Sequence, residues 1–268
     1  MVYTNPKPTL DEGVGKSLPS RPQESSTEDN LGYRKSEDMY FAFIDTLGFQ
    51  QTFDENRQDT KQEFAQRYRN TFLYFGALMN NANCTKSNTT NAGQTSDSLF
   101  FYTDRIDFLL QFIKIYSHFS IYAMSENVFF RGGIAKGSLF INSPTQFYGD
   151  CVIKAYLLES EIAIVPCIAL DNKTYLDLKE SLEPCEQIQA LGKGRHCLRP
   201  FINVSRSELQ EIVNLDPDAI KDIDSEVWEK VHNNIQNNID KYEFSERVRQ
   251  KYIYLAENIE KFEANGIT

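Results

Sequence analysis

Histidine is scarce in this chain: 268 residues contain only His118, His196 and His232. That is too few, and too scattered, for a zinc site or a histidine-based catalytic pair. Cysteine is no more promising. Cys84, Cys151, Cys167, Cys185 and Cys197 are odd in number and widely spaced, with no C-x-x-C pair. Neither a disulfide framework nor a zinc ribbon is supported, and thiols in a reducing compartment are expected. Long apolar runs are missing as well: nothing approaches the roughly 18 uninterrupted residues of a membrane span. The start, MVYTNPKPTLDEG, lacks the apolar core of a signal peptide, so a cytoplasmic protein without a membrane partner is expected. Basic charge is short too. Lys and Arg total 28 against 38 Asp and Glu, a net charge of −10, which argues against nucleic acid as the main partner. A polyphosphate ligand would need a metal ion or backbone amides to neutralise it.

Aromatic residues are plentiful: 19 Phe, 14 Tyr and one Trp within a chain that is 41% hydrophobic, enough to bury a sizeable core. The length suits one large domain, or one domain with an appendage. Residues 1–37 carry four prolines and no apolar period, and read as a mobile leader. Asp38 to Asp45 (DMYFAFID) is an apolar run ending in an acid, the pattern of a buried strand whose carboxyl end reaches a site. From about Asn56 to Asn81, Phe64, Tyr68, Phe72, Phe75 and Leu78 follow helical spacing.

After a polar, turn-rich stretch from Asn83 to Gly93, Ser96 to Tyr102 reads as a second apolar strand with an acid at its start, near a hairpin tip. Asp107 to Met124 is helical by spacing. Val128 to Gly137 reads as a third strand, continuing through Ser138 to Ile141 into a fourth. Residues 150–162 are helical, and Ile162 to Leu170 is a strand in which Pro166 suggests an edge or a bulge. Asn172 to Leu182 reads as a helix and Cys197 to Val204 as a strand. We take residues 38–205 as one body of α+β class, with a ferredoxin-like β-α-β-β-α-β antiparallel sheet over residues 38–141. Beyond Ser205 the composition turns charged and helix-forming. Residues 204–268 hold 8 basic and 14 acidic residues, so 8 − 14 = −6 of the net charge lies there. This helical extension, 206–268, ends in an amphipathic helix from about Glu243 to Phe262, preceded by the Asn-rich stretch 233–238. Its apolar positions Ile235, Ile239, Tyr242, Tyr252, Leu255 and Ile259 need cover.

Two acids at strand ends, Asp45 and Asp97, are the strongest chemical signal. Mg²⁺ favours carboxylate oxygens and needs few protein ligands when the substrate brings phosphates. Equally, isolated aspartates cap turns. Thr46, Leu47, Gly48 and Phe49 follow Asp45 at a strand-to-helix junction, where free amides offer an anion site without any lysine. Arg131 to Gly137 (RGGIAKG) is a Gly-rich strand, and glycines there are often only bulges. Tyr148-Gly149-Asp150 comes next.

Taken together and in this order, these segments resemble the class III adenylate and guanylate cyclase catalytic domain over about residues 38–205. Phe43 to Phe49 looks like the first metal motif, Ser96-Asp97 the second, Arg131 to Gly137 the R-x-G-I-x-x-G strand, and Tyr148-Gly149 with Ala155 and Glu159 the following helix. The likeness is greatest to the small bacterial cyclases of Pycsar antiphage defence, which make cyclic pyrimidine nucleotides and also carry a helical tail. The resemblance implies two Mg²⁺ or Mn²⁺ ions on Asp45, Thr46 and Asp97. It also implies a nucleoside triphosphate with its β- and γ-phosphates cradled around Thr46, Leu47, Gly48 and Phe49, and an antiparallel homodimer with the nucleotide at the interface. A downstream receptor would then meet only the cyclic product.

The chain departs from the family at the base-reading positions, where Gly93 and Gln146 stand in place of the purine readers. Gln146 would face a pyrimidine, with UTP favoured over CTP by family prevalence. The family's ribose-binding asparagine and transition-state arginine are Ile153 and Leu157 here, both aliphatic. Losing one charge-stabilising donor typically costs about 10²–10³ in rate, so Arg131, Lys154 and Lys136 are the candidate replacements. The other reading is a degenerate cyclase fold that binds nucleotide without turnover, as a sensor or scaffold. A phosphodiesterase using the same acids is disfavoured by the scarcity of histidine.

Overall fold

The computed structural model describes residues 34–48, 58–86, 89–181, 188–202 and 204–264. Strand β1 spans Arg34–Thr46, helix α1 Gln58–Asn81, β2 Asn91–Thr95, β3 Ser98–Thr103, helix α2 Ile106–Ser125 and β4 Phe130–Ser143. These pair in the order β2-β3-β1-β4, every neighbour antiparallel. That is the ferredoxin-like arrangement expected, built from partly different strands. The residues expected to form a third and a fourth strand are one continuous β4. The missing strand is β2, an edge strand whose sequence NAGQT has no apolar alternation and which forms by pairing with β3.

Beyond β4 come β5 (Gln146–Tyr148), helix α3 (Asp150–Leu157) with a π turn at Leu158–Ile162, β6 (Ile168–Leu170), helix α4 (Asn172–Ser181), β7 (Ile188–Gly192) and β8 (Arg195–Leu198). Strand β6 pairs parallel to β4 and extends the sheet through β8 to β7. It is shorter than expected and lies between two neighbours, so Pro166 falls in the connection before it and marks neither an edge nor a bulge. The strand expected from Cys197 onward instead ends at Leu198. The expected leader overlaps the first residues of β1; its part at 1–33 lies outside the described residues.

Strand parity decides which layer each side chain joins. Tyr40, Ala42 and Ile44 of β1, with Leu99 and Phe101 of β3, face α1 and α2 and meet Phe72, Phe75, Leu78, Phe112 and Phe119. Met39 and Phe41, with Phe100, Tyr102, Ala135 and Leu139, face the other way and are covered by Cys151 and Ala155 of α3. The glycines of β4 exist for close approach, not for bulges. A Cβ at Gly133 would stand 2.3 Å from the Ala155 carbonyl oxygen, and one at Gly137 would stand 2.4 Å from an Asp150 carboxylate oxygen. The register break lies in β1, between Ser36 and Met39, where Asp38 takes φ 58°.

The C-terminal helices are α5 (Arg206–Ile212), α6 (Ser225–Lys241) and α7 (Glu246–Ala264). Val231, Ile235 and Ile239 of α6 and Tyr252, Leu255, Ile259 and Phe262 of α7 bury against Ile121 and Met124 of α2, with Tyr242 partly buried beside them. The Asn-rich stretch precedes the last helix, as expected, and lies inside α6. Asn234 donates to the Met124 and Ser125 carbonyls at 2.9 Å, and Asn238 to the Asn127 side chain at 2.8 Å. Asn234 thus adds a donor at the carbonyl end of α2, where the Met124 carbonyl also accepts from the Asn127 N–H. Among the described residues no helix is long and apolar enough to cross a membrane.

Candidate active site

Asp45 falls on the α3 side of β1, by the same alternation that carries Phe41 and Phe43 there. Across the antiparallel ladders it stands opposite Ser98 on β3 and Arg131 on β4. Three strands therefore place an acid, a hydroxyl and a guanidinium in one row. Ser98 donates its hydroxyl hydrogen to Asp45 Oδ1 at 2.9 Å. Asp97 sits one residue earlier, in the two-residue turn joining β2 to β3, with Ser96 in the left-handed region at φ 55°. Thr46 locks that turn to β1: its backbone N–H and its hydroxyl both donate to the Asp97 carbonyl, at 3.2 and 2.8 Å. The two sequence-distant acids are thus neighbours.

Electrostatics agree with the ladder. Burial raises the Asp45 pKa above the usual carboxylate range, and the Asp97 charge raises it further, while the Ser98 hydrogen bond and the Arg131 charge pull it back down. A carboxylate whose pKa a neighbouring carboxylate charge raises marks a place where a bound cation would relieve the repulsion. Among the described residues no group of three or more His, Cys, Asp or Glu could hold a metal. Two carboxylates fit an Mg²⁺ or Mn²⁺ that shares its coordination with phosphates and water, and do not fit a closed all-protein cage. Thr46, whose hydroxyl hydrogen goes to Asp97, keeps its oxygen lone pairs but is buried.

Arg131 is engaged on its far side. It pairs with Glu159 of the π turn at 2.6 Å, and Glu159 is only 3% exposed. Burial raises the Glu159 pKa, Arg131 lowers it, and Asp45 raises it again. Arg131 therefore bridges two acids from within the fold, a positioning role. Tyr68, used in the sequence only as an apolar position of α1, reaches this end of the sheet and donates to the Ser96 carbonyl at 3.3 Å. Its hydroxyl pKa is raised, first by burial, with the Asp97 and Asp45 charges adding. Nothing in the sequence marks Tyr68 as different from its helical neighbours. Ser98 could have been found, because it flanks Asp97 in a strand whose register follows from the hairpin.

The remaining expected residues separate from the acid pair. The Leu47 N–H already donates to the Phe129 carbonyl at 2.8 Å, and its side chain packs toward the C-terminal helices. It is therefore not an amide available to phosphate. Gly48 follows at φ 75°, and Phe49 lies outside the described residues. Lys136 pairs with Asp177 at 2.9 Å and Lys154 with Asp150 at 2.6 Å. Asp150 is held by Ser138 and by Lys154, which takes its carboxyl down to about 2. Gln146 is exposed on β5 and accepts from Asn142 at 2.8 Å. It pairs with Ser143, twelve residues along β4 from Arg131, a separation of about 40 Å in an extended strand. Ile153 and Leu157 point outward, 63% and 42% exposed.

No family model matches the sequence, and no curated protein is similar to it. Among solved structures, the chain is similar to the guanylyl cyclase domain of the RhoGC fusion protein from the aquatic fungus Blastocladiella emersonii. Identity is 15%, the match covers 62% of this chain and 97% of that one, and the TM-score is 0.45. A second similar structure is the catalytic core of a rhodopsin-guanylyl cyclase with converted specificity, in complex with ATPαS. Identity there is 14%, over 62% of this chain and 97% of that one, with a TM-score of 0.42.

Proposed function

We propose that this protein is a metal-dependent nucleotide cyclase acting on a pyrimidine nucleoside triphosphate, UTP before CTP. The observation that carries the reading is the Asp45–Asp97 pair, an acid at the end of β1 and one in the β2–β3 turn set side by side by the ladder and the Thr46 lock. In the reaction the ribose 3′-oxygen forms a bond to the α-phosphorus, the bond to the β-phosphate oxygen breaks, and pyrophosphate leaves as the hydroxyl proton is released. Divalent ions held by the two carboxylates would acidify that hydroxyl and neutralise charge at phosphorus. The chain's own work is positional. Ser98 fixes the Asp45 carboxylate, Arg131 balances its charge from β4, and Thr46 keeps the Asp97 turn against β1.

Gln146 lies too far along β4 to serve the Asp45 of its own chain, and Lys154 is tied back to Asp150. In an antiparallel homodimer they serve the partner's site, with Gln146 facing the base. The exposed Ile153, Tyr156 and Leu157 on the outer face of α3 supply an apolar contact for such a pairing. Incubating the purified protein with each of the four NTPs and Mn²⁺, followed by mass spectrometry, tests the reading. A cyclic pyrimidine nucleotide, lost in Asp97→Asn, is expected. No cyclic product from any NTP overturns it. The exposed aliphatic pair Ile153 and Leu157 also favours a second reading, nucleotide binding without turnover. Tight NTP binding by calorimetry with no pyrophosphate release would select that one.

A further inference from the structure

The site as described is short of free positive charge. Arg131, Lys136 and Lys154 each hold a carboxylate, and the Leu47 amide is occupied. A triphosphate carries about four negative charges, and ions on two carboxylates would offset only part of them. A cation without a partner, held at this end of the sheet, would therefore stand out.

Helix α7 brings two. Its packing fixes where they lie. Tyr252 sits edge-on against Phe129, the residue whose carbonyl receives the Leu47 N–H, with ring centroids 5.1 Å apart. Tyr254 hydrogen-bonds Gln189 of β7 and packs beside Leu158 and Ile162 of the π turn that carries Glu159. Lys251, one residue before Tyr252 and three before Tyr254, is set above that turn, half-buried. It lies within electrostatic reach of Arg131 and Glu159, and Arg247, one helical turn earlier, lies within reach of Lys251. Neither makes an ion pair among the described residues.

This arrangement opposes stability. Like charges four apart on a helix repel. Burial lowers the Lys251 pKa first, the Arg131 and Arg247 charges lower it further, and the Glu159 charge raises it only in part. The one acid facing Lys251 is Glu159, which Arg131 already holds at 2.6 Å; a half-buried ammonium that shares a single carboxylate with a guanidinium points to a further anion.

We propose that Lys251 and Arg247 of the C-terminal helix form an anion site for the polyphosphate of the substrate, delivered in cis to the Asp45–Asp97 end of the sheet. The proposal rests on the nucleotide reading for its ligand, and it gives the helical extension a direct part in the site. Lys251 would touch phosphate where the outward-facing Leu157 cannot.

The test is calorimetry of the full chain with inorganic tripolyphosphate, alongside cyclic-nucleotide formation. Wild type is expected to bind tripolyphosphate. Lys251→Gln and Arg247→Gln should each weaken binding about tenfold or more, as loss of a charged contact to phosphate does, and Lys251→Arg should retain most of it. Lys251→Gln should also melt no lower than wild type, since it removes a repelled charge, and tripolyphosphate should raise the melting temperature of wild type and of Lys251→Arg more than that of either glutamine variant. Arg247 is exposed, so Arg247→Gln reads the site independently of any effect on the core. Wild type that fails to bind tripolyphosphate, or Lys251→Gln that binds it equally well, overturns the proposal. Lys251-dependent binding with no cyclic product from any NTP would keep the anion site and remove the cyclase reading. Normal kcat and KM in both glutamine variants would do the reverse.

Discussion

Asp45 carries its charge in an unfavourable place. Burial and the Asp97 carboxylate raise its pKa, and the Ser98 and Arg131 contacts do not fully compensate. A carboxyl with a raised folded-state pKa binds protons more readily folded than unfolded. Its contribution to stability is therefore neutral below the unfolded value and becomes a loss as pH rises through the folded value. Asp45→Asn keeps an oxygen for Ser98 and removes the charge. It should raise the melting temperature at pH 7 by roughly 1–3 °C, the shift that fractions of a kcal/mol produce in a chain of this size. Near pH 3 the difference should vanish, and activity should be lost at every pH. Thermal melts across that range check the sign; a lower melting temperature at pH 7 would mean that Arg131 outweighs burial. Ser98→Ala should leave the protein folded and reduce turnover about tenfold, in line with one lost hydrogen bond to a charged group. At this scale Asp45 and Asp97 were legible, because acids at the ends of apolar runs are visible in one dimension. The placements of Tyr68, of Glu159 beside Arg131 and of Lys251 were not, since they come from elements that meet only in the fold.

The elements whose sequence pattern matches their environment were the readable ones. Strand β1 and helices α1 and α2 carry strong apolar periods, and each was recognisable from it. Strand β2 was hidden because an edge strand owes its existence to its neighbour, and β4 looked divided because its glycines resemble turn signals. Those glycines give a sharp test of how α3 docks. Gly133→Ala places a Cβ 2.3 Å from the Ala155 carbonyl oxygen, a backbone atom that can yield only if the helix moves. Overpacking of this kind costs about 1–3 kcal/mol, so a melting temperature lower by roughly 3–10 °C is expected. An unchanged value would show that α3 docks less closely. Asn234→Ala removes two 2.9 Å bonds to the end of α2 and should cost about 1–2 kcal/mol by denaturant titration. Asn has low helix propensity, and this stretch is helical where Asn234 reaches the end of α2.

Across the whole molecule, the length of β4 sets the main constraint. With Gln146 about 40 Å along the strand from Arg131, the proposed base reading by Gln146 and the proposed metal ligation by Asp45 and Asp97 would need two chains to share one site. Light scattering should give a dimer, and Ile153→Asp combined with Leu157→Asp should give a folded, inactive monomer. A dimer that survives both changes would move the contact elsewhere. The helical extension was readable as helices that needed cover, but its proximity to the acid pair follows only from how α7 lies over Phe129 and the π turn.

The most direct measurement is Mn²⁺ binding followed by electron paramagnetic resonance, in the presence of UTP, for wild type, Asp45→Asn and Asp97→Asn. Wild type should hold bound Mn²⁺ that depends on the nucleotide, and each single substitution should abolish most of it. Equal Mn²⁺ occupancy in all three proteins would contradict the account.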